Sequence, residues 1–229
     1  VRYLLFWHAL EPQRGVYDSS YIDSTLQRFR WCNQLGIDII IDFHQDLYAR
    51  QFTGNGFPSW TIRDEGKKFT AKTPWNRNYY QRAVITSYTN FWRNDTLQQH
   101  YIEMIRMVCH LTDTFSNIIG IDIMNEPFGG TNLHFERTIL SEFYKRIATL
   151  DSAESLSHRF FFEPGIFTSA GLASKLNFTP PSDWVYFPHY YDYRCHQGKP
   201  YTPRNATLLK KAIAVKVHES RTFGTPLAF

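Results

Sequence analysis

The chain has 229 residues, 43% of them hydrophobic, which is one domain's worth of polypeptide with enough apolar material to fill a core. Its net charge of +4 is spread along the chain without a Lys/Arg block, which excludes a nucleic-acid footprint, and no run reaches the ~18 apolar residues that cross a bilayer. Three cysteines are too few and oddly numbered for a disulfide framework.

Strand-like and helix-like segments alternate along the chain. Tyr3-Leu4-Leu5-Phe6 reads as a first strand, and Glu11 to Gly15 as a turn. Asp18 or Ser19 caps a helix running to about Leu35, where Gly36 supplies the stop. Ile37 to Asp42 is the next strand, with Ile39-Ile40-Ile41 as its β-branched centre. A long connection from Phe43 to about Asn78 follows, rich in Gly, Pro and aromatics; loops of that length are functional or disordered, and the aromatics argue for function.

Helices are expected over about Tyr80 to Trp92 and Leu97 to Phe115, the second capped by Asp95 or Thr96. Ile118 to Met124 is a strand, followed by a Gly129-Gly130 turn and a helix from Phe135 to Leu150. Arg159 to Phe162 and Trp184 to Phe187 are further strands; a helix from Ala206 to Ser220 leads into Pro226-Leu227-Ala228-Phe229, a strand cut short. Cys32 and Cys109 fall in helical patterns as buried thiols, and Cys195 falls in a loop.

This pattern predicts α/β architecture with parallel strands, as one single domain over residues 1–229. An open doubly wound sheet fits it less well than a (β/α)₈ barrel. No Gly-rich phosphate turn follows any strand, and polar residues cluster just after several separate strands, as they do at a barrel's catalytic face. Six strand candidates are present, so the barrel is expected to be incomplete, lacking about one unit before Val1 and more than one after Phe229. With no initiator Met and no signal segment at Val1, the true N-terminus is expected to be absent as well.

The strand tips carry Arg2; His44 with Gln45 and Asp46; Asn125 with Glu126; Glu163; and His189 with Tyr191. In a closed barrel they converge. An acid at a strand tip with an amide beside it is a candidate proton donor for a glycosidic bond. Asp42 and Asp46 read as hydrogen-bond partners, Asp192 as fixing a turn, and Glu163 either as a sugar contact or as a loop anchor. His44, Asp46 and His189 are conceivable metal ligands, but His-X-His and His-Glu-X-X-His are both lacking, so no metal and no cofactor is expected.

The Asn125-Glu126-Pro127 motif with His189-Tyr190-Tyr191 resembles glycoside hydrolase family 5. Asp42-Phe43-His44-Gln45-Asp46-Leu47-Tyr48, Gly54 to Trp60, Phe91 to Asn94 and Gly120 to Pro127 resemble its endoglycoceramidase and glycosylceramidase branch, so that the likeness covers most of the chain. The resemblance implies a TIM barrel with roughly strands 2 to 7 present, and a retaining hydrolase of β-glycosidic bonds, glycosphingolipids first among them. It makes Glu126 the general acid/base, Asn125 the partner of the sugar 2-hydroxyl, and His44 a wall of the subsite at the scissile bond. Tyr191 becomes the residue orienting the nucleophile, with His189 beside it and Tyr190 as an alternative. Arg2 becomes the arginine near that nucleophile. The nucleophile itself, a glutamate, is expected beyond Phe229, so residues 1–229 alone are expected to be inactive. Phe57, Trp60, Trp75 and Tyr79 are expected to form an apolar groove for lipid, with Trp60 as a substrate contact.

A β-glucan or β-mannan hydrolase of the same family, and a barrel that binds carbohydrate or glycolipid without cleaving it, stay open as alternatives. The partner is a glycolipid or oligosaccharide met by a monomer, with transient contact to a membrane surface through the substrate. Sequons at Asn94, Asn177 and Asn205 point to a secreted or lysosomal protein and leave a cytoplasmic one open.

Overall fold

A computed structural model describes residues 1–229. Five parallel strands, β1 (Arg2–Leu5), β2 (Ile39–Phe43), β3 (Ile118–Asp122), β4 (Phe160–Phe162) and β5 (Val185–Tyr186), lie side by side in sequence order. Leu4 faces Asp42, Asp42 faces Asp122, and Asp122 faces Phe161. The final segment joins as a sixth member through a single parallel bridge between Tyr186 and Leu227. The Tyr186 N–H donates to the Pro226 carbonyl (2.9 Å) and the Ala228 N–H to the Tyr186 carbonyl (3.0 Å). A doubly wound sheet reverses its strand order at a switch point. Strict sequential order without a reversal is the wall of a β/α barrel, as expected.

The helices are α1 (Trp7–Leu10), α2 (Ser19–Gln34), α3 (Arg82–Trp92), α4 (Asp95–Thr112), α5 (Ser141–Glu154), α6 (Tyr193–His196) and α7 (Pro203–Phe223). Asp18 caps α2 through the Tyr21 N–H, and Thr202 and Asn205 form a reciprocal capping box on α7. One apolar core runs between the sheet and these helices, from Leu5 and Phe29 through Tyr88 and Phe143 to Trp184. A small second cluster of Phe161, Val185 and Phe187, with Ile40 and Ala228 against it, lies apart from it.

Several local expectations are corrected. Asn94, not Asp95 or Thr96, caps α4, its Oδ1 taking the Leu97 N–H at 3.0 Å. Three good cap formers in a row made the choice ambiguous. Helix α3 starts at Arg82 rather than Tyr80, because Trp75–Tyr80 is a 3₁₀ segment tied back by Asn78 and Gln81. Strand β3 ends at Asp122, two residues short of Met124. No α-helix joins β4 to β5; the connection holds only a 3₁₀ turn, Ile166–Ala170. Cys109 is buried but Cys32 only partly so, Cys195 is exposed in α6, and all three thiols are free. Of the sequon asparagines, Asn205 is buried with its amide donating to Asp192 (2.6 Å), whereas Asn177 is exposed.

Candidate active site

Parallel strands bring their C-terminal ends to one face, and residues just beyond β2 to β5 gather there. Arg2 is a correction in position: it is the first residue of β1 rather than at its tip, and its side chain reaches the centre of the cluster. Its Nη2 donates to Asp122 (2.5 Å), Glu163 (2.6 Å) and the Asn125 side-chain carbonyl (3.0 Å), while its Nε lies 3.3 Å from Asp42. Burial works against the guanidinium's charge, but Asp122, Glu163 and Asp42 together outweigh it and hold Arg2 more firmly protonated than usual. Glu163 is fully buried. That burial, reinforced by the nearby Asp122, pushes its pKa above the usual carboxyl range, while the Arg2 guanidinium pulls it back down.

Glu126 follows Asn125 directly after β3. Its backbone is left-handed, with φ of +42°, a conformation that costs a non-glycine residue of order 1 kcal/mol or more. Two partners hold it there. The Glu126 N–H donates to Glu163 Oε2 (2.8 Å), and its carbonyl accepts from Gln45 Nε2 (3.0 Å). Gln45 also grips the Asn125 carbonyl (2.8 Å), receives the Asn125 amide on its own carbonyl (2.9 Å), and accepts the Tyr88 hydroxyl. Gly56 lets the following loop lie across this grip: with φ of +107°, a Cβ there would come within 2.4 Å of the Gln45 Cβ.

His189 bridges the two glutamates. Its Nδ1 is 2.8 Å from Glu126 Oε1 and its Nε2 3.2 Å from Glu163 Oε1. The Tyr191 hydroxyl reaches the same Nδ1 at 3.2 Å. Tyr191 is pushed to a higher pKa, by burial first and then by Glu126. On the opposite side His44 lies between Asp42 (2.8 Å) and Asp46 (3.4 Å). Burial opposes its charge, but the two carboxylates win and raise it to about 9, so His44 is an imidazolium at neutral pH.

Arg2, His44, Asp46, Asn125, Glu126 and Tyr191 all line one cavity of about 440 Å³. Trp75, Tyr79, Tyr80, Phe128, Ile166 and Phe167 give it an apolar wall. The sequence-derived cluster therefore comes together, with Tyr191 rather than Tyr190 on this cavity; Tyr190 lines a separate small one. The groove expected from Phe57 and Trp60 is a correction. Phe57 is buried, stacked on Tyr48 at 4.3 Å, and Trp60 packs edge-on against Trp7 with its indole N–H on the Glu11 carbonyl (3.0 Å). Both serve the core, and only Trp75 and Tyr79 of that set reach the cavity. Gln45 and Glu163 stood at strand tips in the sequence, but nothing there distinguished a residue that fixes the Glu126 backbone from a loop anchor.

The arrangement offers a carboxyl on the cavity wall, a charged imidazole, an arginine and aromatic faces, the equipment for binding a sugar and moving a proton to or from it. The chain is similar to several known proteins. A glucosylceramidase of Rhizopus delemar is 28% identical over 166 residues, covering 57% of this chain and 24% of its own. Endoglycoceramidase I of Rhodococcus hoagii is 24% identical over 200 residues, covering 80% of this chain and 40% of its own. The solved endo-glycoceramidase II of Rhodococcus sp. in complex with ganglioside GM3 superposes with a TM-score of 0.89 at 27% identity, over 99% of this chain and 57% of that one. The chain thus spans between a quarter and two fifths of these curated relatives and a little over half of the solved one. The model for cellulase, glycosyl hydrolase family 5, matches residues 1–226, and the chain belongs to that family of glycoside hydrolases.

Proposed function

We propose that this chain forms the site of a retaining β-glycosidase acting on glycosphingolipids, with Glu126 as general acid/base. The observation that carries the reading is Glu126 itself. It is a carboxyl on a cavity wall, held at a strained backbone angle by Glu163 and Gln45 and hydrogen-bonded to His189. Strain maintained by surrounding bonds is a mark of a working residue. Asn125, beside it, faces the sugar 2-hydroxyl. His44 and Asp46 hydrogen-bond further hydroxyls, and Arg2 and Tyr191 prepare the place of the attacking carboxylate. The names of the relatives support the substrate class, as does the aromatic wall of Trp75, Tyr79, Tyr80 and Phe167.

Retaining hydrolysis needs a second carboxyl ~5–5.5 Å from the first. In the first step it forms a bond to the anomeric carbon while Glu126 gives its proton to the departing oxygen. In the second, water breaks that bond and its proton returns to Glu126. The cavity's carboxylates within residues 1–229 are Asp46 and Glu126, and Asp46 is held by Tyr79 and His44. From the family resemblance, we propose the tip of the strand that Leu227 begins as the place of the attacking carboxylate.

Replacing Glu126 with Gln in the protein carrying that strand should slow hydrolysis of a ceramide-linked glucoside roughly 10²–10⁴-fold. A dinitrophenyl glucoside, whose leaving group needs no proton, should lose far less in its first step. Equal losses on both overturn the acid/base role. Residues 1–229 alone should turn over neither substrate; hydrolysis by them would place the nucleophile inside this chain. Faster cleavage of a soluble β-glucan or β-mannan than of a glycosphingolipid would move the substrate to the polysaccharide side of the family.

A further inference from the structure

The surface around the cavity mouth is apolar and basic at once. Trp75, Tyr80, Leu133, Phe167, Leu172 and Tyr193 are between 50% and 82% exposed. They are not scattered. Tyr80 and Phe167 wall both the Glu126 cavity and the one adjoining it, which Leu133 and Leu172 also line, and Tyr193 joins the Glu126 cavity to a third. Single exposed apolar side chains are ordinary, but a connected set around an opening marks an interaction surface.

Charge identifies the partner. Residues Gly66 to Arg82, which carry Trp75 and Tyr80, contain Lys67, Lys68, Lys72, Arg77 and Arg82 and no carboxylate. Residues Gly165 to Phe178 contain Lys175 and no carboxylate, and residues Tyr193 to Arg204 contain Arg194, Lys199 and Arg204 and none. Over the whole chain 25 Lys and Arg stand against 21 Asp and Glu, so these segments are far from the average. The acids beside them are already engaged. Glu65 pairs with Lys67 (2.5 Å), Glu136 binds the Lys175 N–H (2.5 Å), and Asp192 caps α6 and holds Asn205.

The geometry points to direct docking of this rim on an anionic lipid bilayer. Aromatic rings and leucines enter the headgroup layer, lysines and arginines face its negative potential, and the Glu126 cavity opens toward the membrane. The inference deepens the glycolipid reading, since a substrate anchored by its lipid would enter the cavity from the layer on which the rim rests. It concerns the phospholipid surface itself and not the sugar.

The test is co-sedimentation of the protein with phosphatidylcholine vesicles, with and without phosphatidylserine, neither containing glycolipid. Binding is expected to the phosphatidylserine vesicles and to weaken as salt is added. The K72E/R77E double variant should bind roughly tenfold or more weakly, and L133D/L172D should also lose binding. R30E/K145E, which makes the same change of charge on α2 and α5, should bind like the parent. Circular dichroism checks each fold, and the charge pair carries the test if the leucine variant does not fold. No sedimentation with phosphatidylserine vesicles, or an equal loss in R30E/K145E, overturns the docking; a rim that captures only acidic proteins does so too. Cleavage of a soluble glycoside by a protein indifferent to vesicles refutes the docking and leaves the hydrolase standing. Vesicle binding by a protein that cleaves no glycoside does the reverse.

Discussion

Two loops face each other across the cavity, and they are built by different physics. The connection from Phe43 to Gln81 is held by rings. Tyr48, fully buried, stacks on Phe57 at 4.3 Å and meets Tyr88 edge-on at 5.1 Å, with its N–H on the Tyr88 hydroxyl (2.8 Å). The connection from Glu163 to Trp184 is held by charged groups. Glu136 accepts from the Gly165 N–H (3.2 Å), the Lys175 N–H (2.5 Å) and the Ser174 hydroxyl (2.9 Å). Glu219 takes the Ser174 N–H (2.5 Å), and buried Lys216 donates to the Leu172 carbonyl (2.7 Å). An apolar wall is indifferent to pH, whereas a wall tied to carboxylates is not. One side of this pocket is therefore rigid by packing and the other by protonation state.

The largest expected effect breaks the first loop. Phe57→Ala should cost about 3–5 kcal/mol in a denaturant titration, with the same loss at pH 5 and pH 8. A loss that depends on pH would erase the distinction between the loops. Next, Glu136→Ala strands three donors and should cost about 2–3 kcal/mol, with faster hydrogen exchange confined to residues 165–175.

The pH dependence sharpens the contrast further. Burial raises the Glu136 pKa, so the folded state holds its proton more tightly than the unfolded chain does. Its contribution is thus fully present below the unfolded value near 4.5 and falls as pH rises through the raised one. The parent should accordingly gain stability relative to Glu136→Gln on acidification from neutrality toward that value. A flat difference between the two proteins would show that the loop is not governed by this carboxyl. The smallest effect is Tyr79→Phe, which removes the hydroxyl joining Asp46 (2.8 Å) to the Leu47 N–H (3.3 Å). It should cost about 1 kcal/mol and leave hydrogen exchange at residues 165–175 unchanged.

The fold was largely legible because β-branched runs such as Ile39-Ile40-Ile41 and Ile118-Ile119 carry their own signal, and because polar residues after such runs belong at one end of a barrel. The site was legible for the residues that reach the cavity: Arg2, His44, Asn125, Glu126 and Tyr191. What stayed hidden depends on direction. A loop aromatic does not announce which way its ring turns, so Trp60 read as a pocket wall and proved to be a neighbour of Trp7. Glu163 follows three phenylalanines, and no local pattern records that Arg2 and the Glu126 backbone both wait for it. Those partnerships join residues far apart in the chain, where periodicity has no reach.

That separation bears on how the molecule assembles. The guanidinium of Arg2 is made well before its partners: its bond to Glu163 spans 161 positions, and its others to Asp122 and Asn125 span 120 and 123. Contacts so distant must await closure of the loops between them, and they place the barrel's central ion cluster among the last things to form. A nascent polypeptide emerging from the ribosome therefore carries Asp42 and Asp122 with their counterion but without Glu163, which completes the set. The bonds that fix the Glu126 backbone are then a late product of synthesis, exposed until then to chaperones and proteases.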